Sequence, residues 1–287
     1  MRALFLVAGV LLALPALAQP SDDRRPPMFV ISGGDQPVYL LGSVHLLLDG
    51  ALPLPPHVEA AYDRADVLAF ELELDLAEAG AMGMMASAMD ETLIADALTD
   101  TQRDSLSAWL GAIGMPATAL DAFEPWFGSL MLGVLGLQRS GLPVADGGVD
   151  SYLFGRAKAD GKDRVALETM ERQTAAFDDL STDTQVRYLL GSLATPADSL
   201  AGQFTALIDA WASGDDDRLA SMMNDGFDHP ELAEAVLLRR NRAWVPQIES
   251  LVAAGRAALI VVGAGHLVGE GSVVDLLRQA GYAVERL

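Results

Sequence analysis

The sequence predicts an α/β fold, on three observations. Short apolar runs suited to strands recur from one end of the chain to the other. Two long helical stretches separate them. Several of the runs end in glycine or in a residue able to do chemistry, as strands of open α/β sheets do. With 287 residues, 51% of them apolar, the chain suffices for one large packed domain or two small ones.

Phe29 to Ser32 and Val38 to Leu41 are β-rich and flank Gly33-Gly34-Asp35, which predicts a hairpin. Pro53, Pro55 and Pro56 lead into a short helix from His57 to Ala65. Val67 to Leu74 reads as a buried strand with acids only toward its end. From Leu76 to about Gln138 the pattern is helical, broken near Gly111 and Gly114. Its methionines at 82, 84, 85 and 89 read as helix-core packing rather than a soft-metal site. Gly147-Gly148-Val149-Asp150 opens a helix that Gly161 stops. Arg164 to Leu167 is a strand running into Glu168. Helix then extends from about Glu171 to Ser250, interrupted near Pro196, Gly214 and Pro230. Ala257 to Val262 is the most apolar strand, Ser272 to Ala280 a helix, and Tyr282 to Arg286 a last strand.

Residues 1–18 read as a signal peptide. Met1-Arg2 is a short positive start, Ala3 to Leu14 is too short to span a membrane, and Ala16-Leu17-Ala18 fits a cleavage site. Residues 19–27 read as a disordered mature terminus and 28–287 as the folded domain, which places the mature chain in the periplasm or outside the cell with no membrane anchor. There is no cysteine, so disulfides, thiolate ligands and a cysteine nucleophile are excluded. The net charge of −21 disfavours nucleic acid and anionic lipid as partners.

Four expected strands end in His45, Glu71, Glu168 and His266, and ligands of open α/β sheets bind beyond the carboxyl ends of strands. Gly42-x-x-His45 and Gly263-x-x-His266 share one local form, in which glycine permits a turn or a close approach and the histidine is presented at the sheet mouth. Two imidazoles with one or two carboxylates suit a divalent metal such as zinc, manganese or cobalt, whose bound water becomes hydroxide at neutral pH. The same residues also serve a metal-free reading, with one histidine as general base on water. Glu71 and Glu73 compete for one role, since alternation along a strand puts both on one face. Glu168 and Glu171 compete for another. Arg239-Arg240-Asn241-Arg242 reverses the local sign of charge, and either stabilises an oxyanion or lines a solvated helix face. His57 and His229 read as ordinary surface residues, and Asp150 as an acid suited to a helix start.

A wider set of motifs resembles the TraB/GumN family, related to the Tiki proteases. It comprises Leu40-Leu41-Gly42-Ser43-Val44-His45, Phe70-Glu71-Leu72-Glu73, Gly148-Val149-Asp150, Leu167 to Gln173, Arg240-Asn241-Arg242-Ala243-Trp244 and Val262 to Gly269, in family order. The resemblance implies a single α/β domain whose central mixed sheet is interrupted by long helical insertions. It implies a hydrolytic centre with His45, His266, Glu168, Glu171 and Arg240 as catalytic residues. Ser43 and Asn241 would contact substrate, and His45, Glu71, Glu168 and His266 would hold the metal. Tiki relatives are viewed as metal-dependent peptidases, and related erythromycin esterases hydrolyse esters, so a peptide or small ester is the implied substrate. Glu73 stands where aspartate is frequent in the family, which counts against it as a ligand. On this expectation metal-bound hydroxide attacks a carbonyl, Glu168 or Glu171 moves the proton, Arg240 steadies the oxyanion, and the insert helices form a lid. The rival expectations are a metal-free hydrolase and a non-catalytic carrier of metal, haem or glycan.

Overall fold

A computed structural model describes residues 23–145, 147–227 and 229–287. The expected signal peptide and residues 19–22 lie outside the described residues. Six strands form one sheet: β1 (Met28–Ser32), β2 (Val38–Ser43), β3 (Val67–Phe70), β4 (Asp163–Ala166), β5 (Ala258–Gly263) and β6 (Ala283–Arg286). Their order is β4-β3-β5-β2-β1-β6. The four strands β4, β3, β5 and β2 run parallel, while β1 is antiparallel to both β2 and β6, so the sheet is mixed, as expected.

Alternation along the buried strands gives each face its own core. On one face Leu41, Leu68, Phe70, Leu259 and Val261 pack against Tyr62, Phe154 and Trp211. These last come from the helices Pro56–Arg64, Val149–Asp160 and Leu200–Ser213. On the other face Leu40, Ala69, Ile260 and Val262 meet Trp244, Ile248 and Leu277 of the helices Arg239–Ala253 and Val273–Gln279. The helical stretch between β3 and β4 has a core of its own around Leu106, Trp109, Leu110 and Leu132, closed by Leu189.

Several local expectations are corrected. The strand expected over Val67 to Leu74 stops at Phe70, so Glu71 and Glu73 do not alternate within a strand. The pairing lingers past the strand ends through Leu167 N–H to Phe70 O (2.8 Å) and Glu168 N–H to Glu71 O (3.0 Å), which carries both glutamates out of the sheet together. The break expected near Gly111 and Gly114 is present, since the helix Asp100–Ala112 ends there, Gly114 takes φ 77, and the next helix is Pro125–Ser140. Helix continues through neither Asp179 nor Leu180, because Ser181 caps a new helix, Thr182–Ala194. Met82 and Met85 of the helix Ala77–Ser87, and Met89 just beyond it, are exposed rather than core, whereas Met84 packs against Trp126 and Phe127 as expected. The terminus expected to be disordered through residue 27 is tied down earlier. Arg25 N–H donates to Ala212 O (2.6 Å) and Pro27 O accepts from Gly42 N–H (2.7 Å).

Candidate active site

Because β2, β3, β4 and β5 are parallel, their carboxyl ends open on one edge. That edge receives His45, Glu71, Glu168 and His266 from four separate segments. Close packing explains the glycine that precedes each histidine. A Cβ on Gly42 would lie 3.0 Å from the Ala264 Cα, and one on Gly263 would lie 3.2 Å from a Glu71 carboxylate oxygen. The Gly263 N–H itself donates to Glu71 Oε1 at 2.6 Å.

The centre of the cluster is Arg240. Its Nη2 donates to Glu71 Oε2 (2.6 Å) and Glu168 Oε1 (2.5 Å), and its Nε donates to both Glu168 oxygens (3.0 and 3.2 Å). Its Nη1 donates to Val236 O (3.0 Å) in the π-helical segment Glu234–Leu238, and to His266 Nε2 (3.1 Å). A guanidinium has no acceptor, so His266 Nε2 must accept, and Nδ1–H then donates to Asn241 Oδ1 at 2.6 Å. Asn241 Nδ2 in turn donates to Gly271 O at 2.9 Å. This chain fixes His266 as one neutral tautomer, with both ends of the Asn241 amide engaged in it. Arg240, Glu71, Glu168, Asn241 and His266 are all buried.

His45 has a different setting. Its side chain is 71% exposed, and Nδ1 meets Asp150 Oδ2 at 3.3 Å. Asp150 lies in the first turn of the helix Val149–Asp160, which is clamped to the His45 segment by Val149 N–H to Val44 O (3.0 Å). Ser43, His45, Glu71, Asp150 and Gln173 line a cavity of about 190 Å³. Gln173 Nε2 donates to Glu71 Oε2 (3.2 Å), and Asp150 Oδ1 is buried with no hydrogen-bond partner among the described residues. Asp150 and Gln173 are thus site residues that a reading for metal ligands passed over. The signal for Asp150 was the glycine pair before it.

Electrostatics separate the two rings. The Asp150 hydrogen bond, with the Asp150 and Glu71 charges, raises the His45 pKa to about 9, so the ring is an imidazolium at neutral pH. Burial pushes His266 down to about 3 and keeps it neutral. Burial alone would raise Glu71, but His266, Arg240, His45 and the Gly263 N–H outweigh it and hold the carboxyl at about 2. With His266 neutral at pH 7, Arg240, His45 and the amide carry that effect. Burial raises Glu168 above the usual carboxylate range, against the pull of Arg240.

These shifts set the sign of the pH dependence of stability. Unfolded histidine protonates near 6.5 whereas folded His266 stays neutral down to about 3, so the unfolded state binds the extra proton and stability falls as pH drops through that window. His45 acts oppositely. Its contribution is complete below about 6.5 and is lost as pH rises through about 9. Urea midpoints are expected to fall from about pH 7 to about pH 5, and His45→Ala to flatten the alkaline decline. A midpoint unchanged on acidification would contradict the buried neutral state of His266.

The expected metal ligands have other partners in this structure. Among the described residues no group of three or more histidine, aspartate or glutamate side chains is placed to hold a metal ion. Glu71, Glu168 and His266 converge on the Arg240 guanidinium, which occupies part of their lone pairs and places a fixed positive charge among them. His45 is paired separately with Asp150. Glu171 sits outside the His45 cavity, exposed in the first turn of the helix Met170–Asp178, where its own N–H and Thr169 lower its pKa.

The TraB/PrgY/gumN family pattern matches residues 27–286. The chain belongs to this family. It is similar to YbaP, an uncharacterised protein of Escherichia coli, at 24% identity over 246 residues, covering 85% of this chain and 89% of the relative. An uncharacterised Treponema pallidum protein is 22% identical over 284 residues, 93% of this chain and 83% of its own. A relative named as a metalloprotease TIKI homologue, from the sponge Amphimedon queenslandica, is 27% identical over 164 residues, 48% of this chain and 32% of that one. No solved structure matches. The matched residues span every strand of this TraB/PrgY/gumN chain and both of its glycine-histidine segments.

Proposed function

We propose that this chain is a hydrolase of peptide or ester carbonyls, working through His45 and Glu71 rather than through a bound metal. One observation carries this reading. An exposed imidazolium, paired with a half-buried aspartate, shares a cavity with an ionised glutamate at the carboxyl edge of the parallel strands. The similarity to a relative named as a metalloprotease supports a peptidase-like substrate.

In the proposed reaction Glu71 orients a water and takes its proton as the oxygen attacks the carbonyl carbon. Among the described residues Oε1 of Glu71 accepts a single hydrogen bond, from Gly263, so it keeps a lone pair for that water. His45 gives its proton to the departing nitrogen or oxygen as the carbon–heteroatom bond breaks, and the proton on Glu71 then returns the ring to its charged form. Asp150 holds the ring and its charge, and Arg240 with Gln173 fixes the Glu71 carboxylate. Glu168 orients Arg240, which replaces its expected part as proton shuttle.

The metalloprotease-named relative also favours a second reading, in which His45, Glu71, Glu168 and His266 hold a divalent metal such as manganese, cobalt or zinc. The guanidinium among those donors opposes it in this arrangement. The apolar run Ala3 to Leu14 and the small-residue site at Ala16 to Ala18 support export to the periplasm or beyond. No helix among the described residues is long and apolar enough to cross a membrane. The net charge of −21 supports substrates that are not polyanions.

Purified protein should be assayed on a panel of peptides and esters across pH, with and without chelator. Hydrolysis is expected to survive chelation and to fall as pH rises through about 9, where His45 loses its proton. Asp150→Asn should move that limb down toward 6.5, and His45→Ala should cost roughly 10²–10⁴-fold. A rate that climbs through the same alkaline limb, or that stops with chelation and returns with added metal, would remove this mechanism.

A further inference from the structure

A second concavity, of about 470 Å³, opens beside the catalytic cavity between the helices Ala77–Ser87 and Met170–Asp178. Leu72 lines both spaces, so they are neighbours. One wall is apolar and slim, with Leu76, Gly80 and Met84. The opposite wall and the end carry Glu73, Glu168, Glu171, Thr174 and Asp178, and no lysine or arginine lines it.

The polar atoms there lack donors. Among the described residues Glu73 Oε1, Thr174 Oγ1 and Asp178 Oδ1 are buried without a hydrogen-bond partner, and Thr174 is only 6% exposed. A buried oxygen without a partner carries a desolvation penalty that a ligand's N–H groups relieve. Arg240 neutralises Glu168, whereas no basic side chain faces Glu73 or Asp178 from either wall. Asp178 Oδ2 accepts from Ser87 Oγ, which ties the two helices together.

We infer that this groove is a specificity subsite for a cationic group on an aliphatic stem, the lysine or arginine side chain of a peptide substrate. The Leu76 and Met84 wall packs the methylenes, and the head lies against the Glu73 and Asp178 carboxyl groups that line the space. An ammonium brings three donors and no acceptor, which suits a pocket made of acceptors. The inference rests on the hydrolase reading for its catalytic arm only.

The test pairs turnover with binding. Matched peptides carrying lysine, norleucine or glutamate beside the scissile bond are offered to wild type, Glu73→Gln, Asp178→Asn and Thr174→Val. Lysine is expected to exceed norleucine by roughly tenfold in kcat/KM, about the value of one charge-assisted hydrogen bond. The ratio should collapse in Glu73→Gln and Asp178→Asn while norleucine turnover stays unchanged. Calorimetry with the lysine peptide and with n-hexylamine runs beside it. If no peptide is hydrolysed, the hydrolase reading fails, yet amine binding lost in Asp178→Asn still supports the subsite. Equal turnover of lysine and norleucine, or no amine binding by folded wild type, overturns the subsite.

Discussion

Arg240→Met is expected to lower unfolding stability by about 3–5 kcal/mol at neutral pH and to abolish hydrolysis. The guanidinium is the only cation in contact with Glu71 or Glu168 among the described residues, and all three groups are buried. Methionine preserves much of the volume, so the loss isolates charge and hydrogen bonding rather than a cavity. Two carboxylates would be left against a neutral ring, and they would take up protons to escape the uncompensated charge. The deficit should therefore shrink as pH falls. Adding Glu71→Gln and Glu168→Gln to the same chain should return part of the stability but none of the activity. Arg240→Lys should recover little, because one ammonium cannot reproduce the fork that reaches Glu71, Glu168, Val236 and His266 at once. Denaturant titration of the series at two pH values decides the matter. A single-variant loss near zero would mean that the cluster is not held by its charge pairing.

Gly148→Ala is the second large effect, about 3 kcal/mol of stability and roughly tenfold or more in activity. The added Cβ would stand 2.0 Å from Val44 O and 2.4 Å from the His45 carbonyl carbon, and neither is the yielding end of a flexible side chain. Backbone dihedrals are not the obstacle. Gly148 has φ −110 and ψ −165, an extended shape open to any residue. The two segments must separate, which stretches Val149 N–H to Val44 O and draws Asp150 away from His45. The marker is specific: the His45 titration, followed by NMR, should move from about 9 toward 6.5, a shift that general destabilisation would not produce. An unshifted titration in a folded Gly148→Ala protein would detach Asp150 from the control of His45.

Much of the architecture was legible because it is local. The continuous apolar runs at Leu40, Leu68 and Ile260 read as buried strands, and the hairpin followed from Gly33 to Asp35 between two such runs. Interruptions at Pro196, Gly214 and Pro230 fall where helices end or begin. The placement of His45, Glu71, Glu168 and His266 on one sheet edge was also legible, since each follows a strand and parallel strands share an exit side. Met82 and Met85 misled because composition carries no information about which face of the Ala77–Ser87 helix meets the protein. Glu71 and Glu73 could not be told apart while their strand was read as running to Leu74, because period-two alternation gives both one orientation.

By itself, then, the amino-acid order determined the strands, the family and the four residues delivered to the sheet mouth. Each of those depends on neighbours within a few positions. Only the folded chain decided how those four are used. Arg240 lies 169 residues from Glu71 and 72 from Glu168, and Asp150 lies 105 from His45, so no local pattern reports their meeting. Buried charges take whichever partner the packing brings nearest, and here packing brought a guanidinium to two carboxylates and one ring, and an aspartate to the other ring.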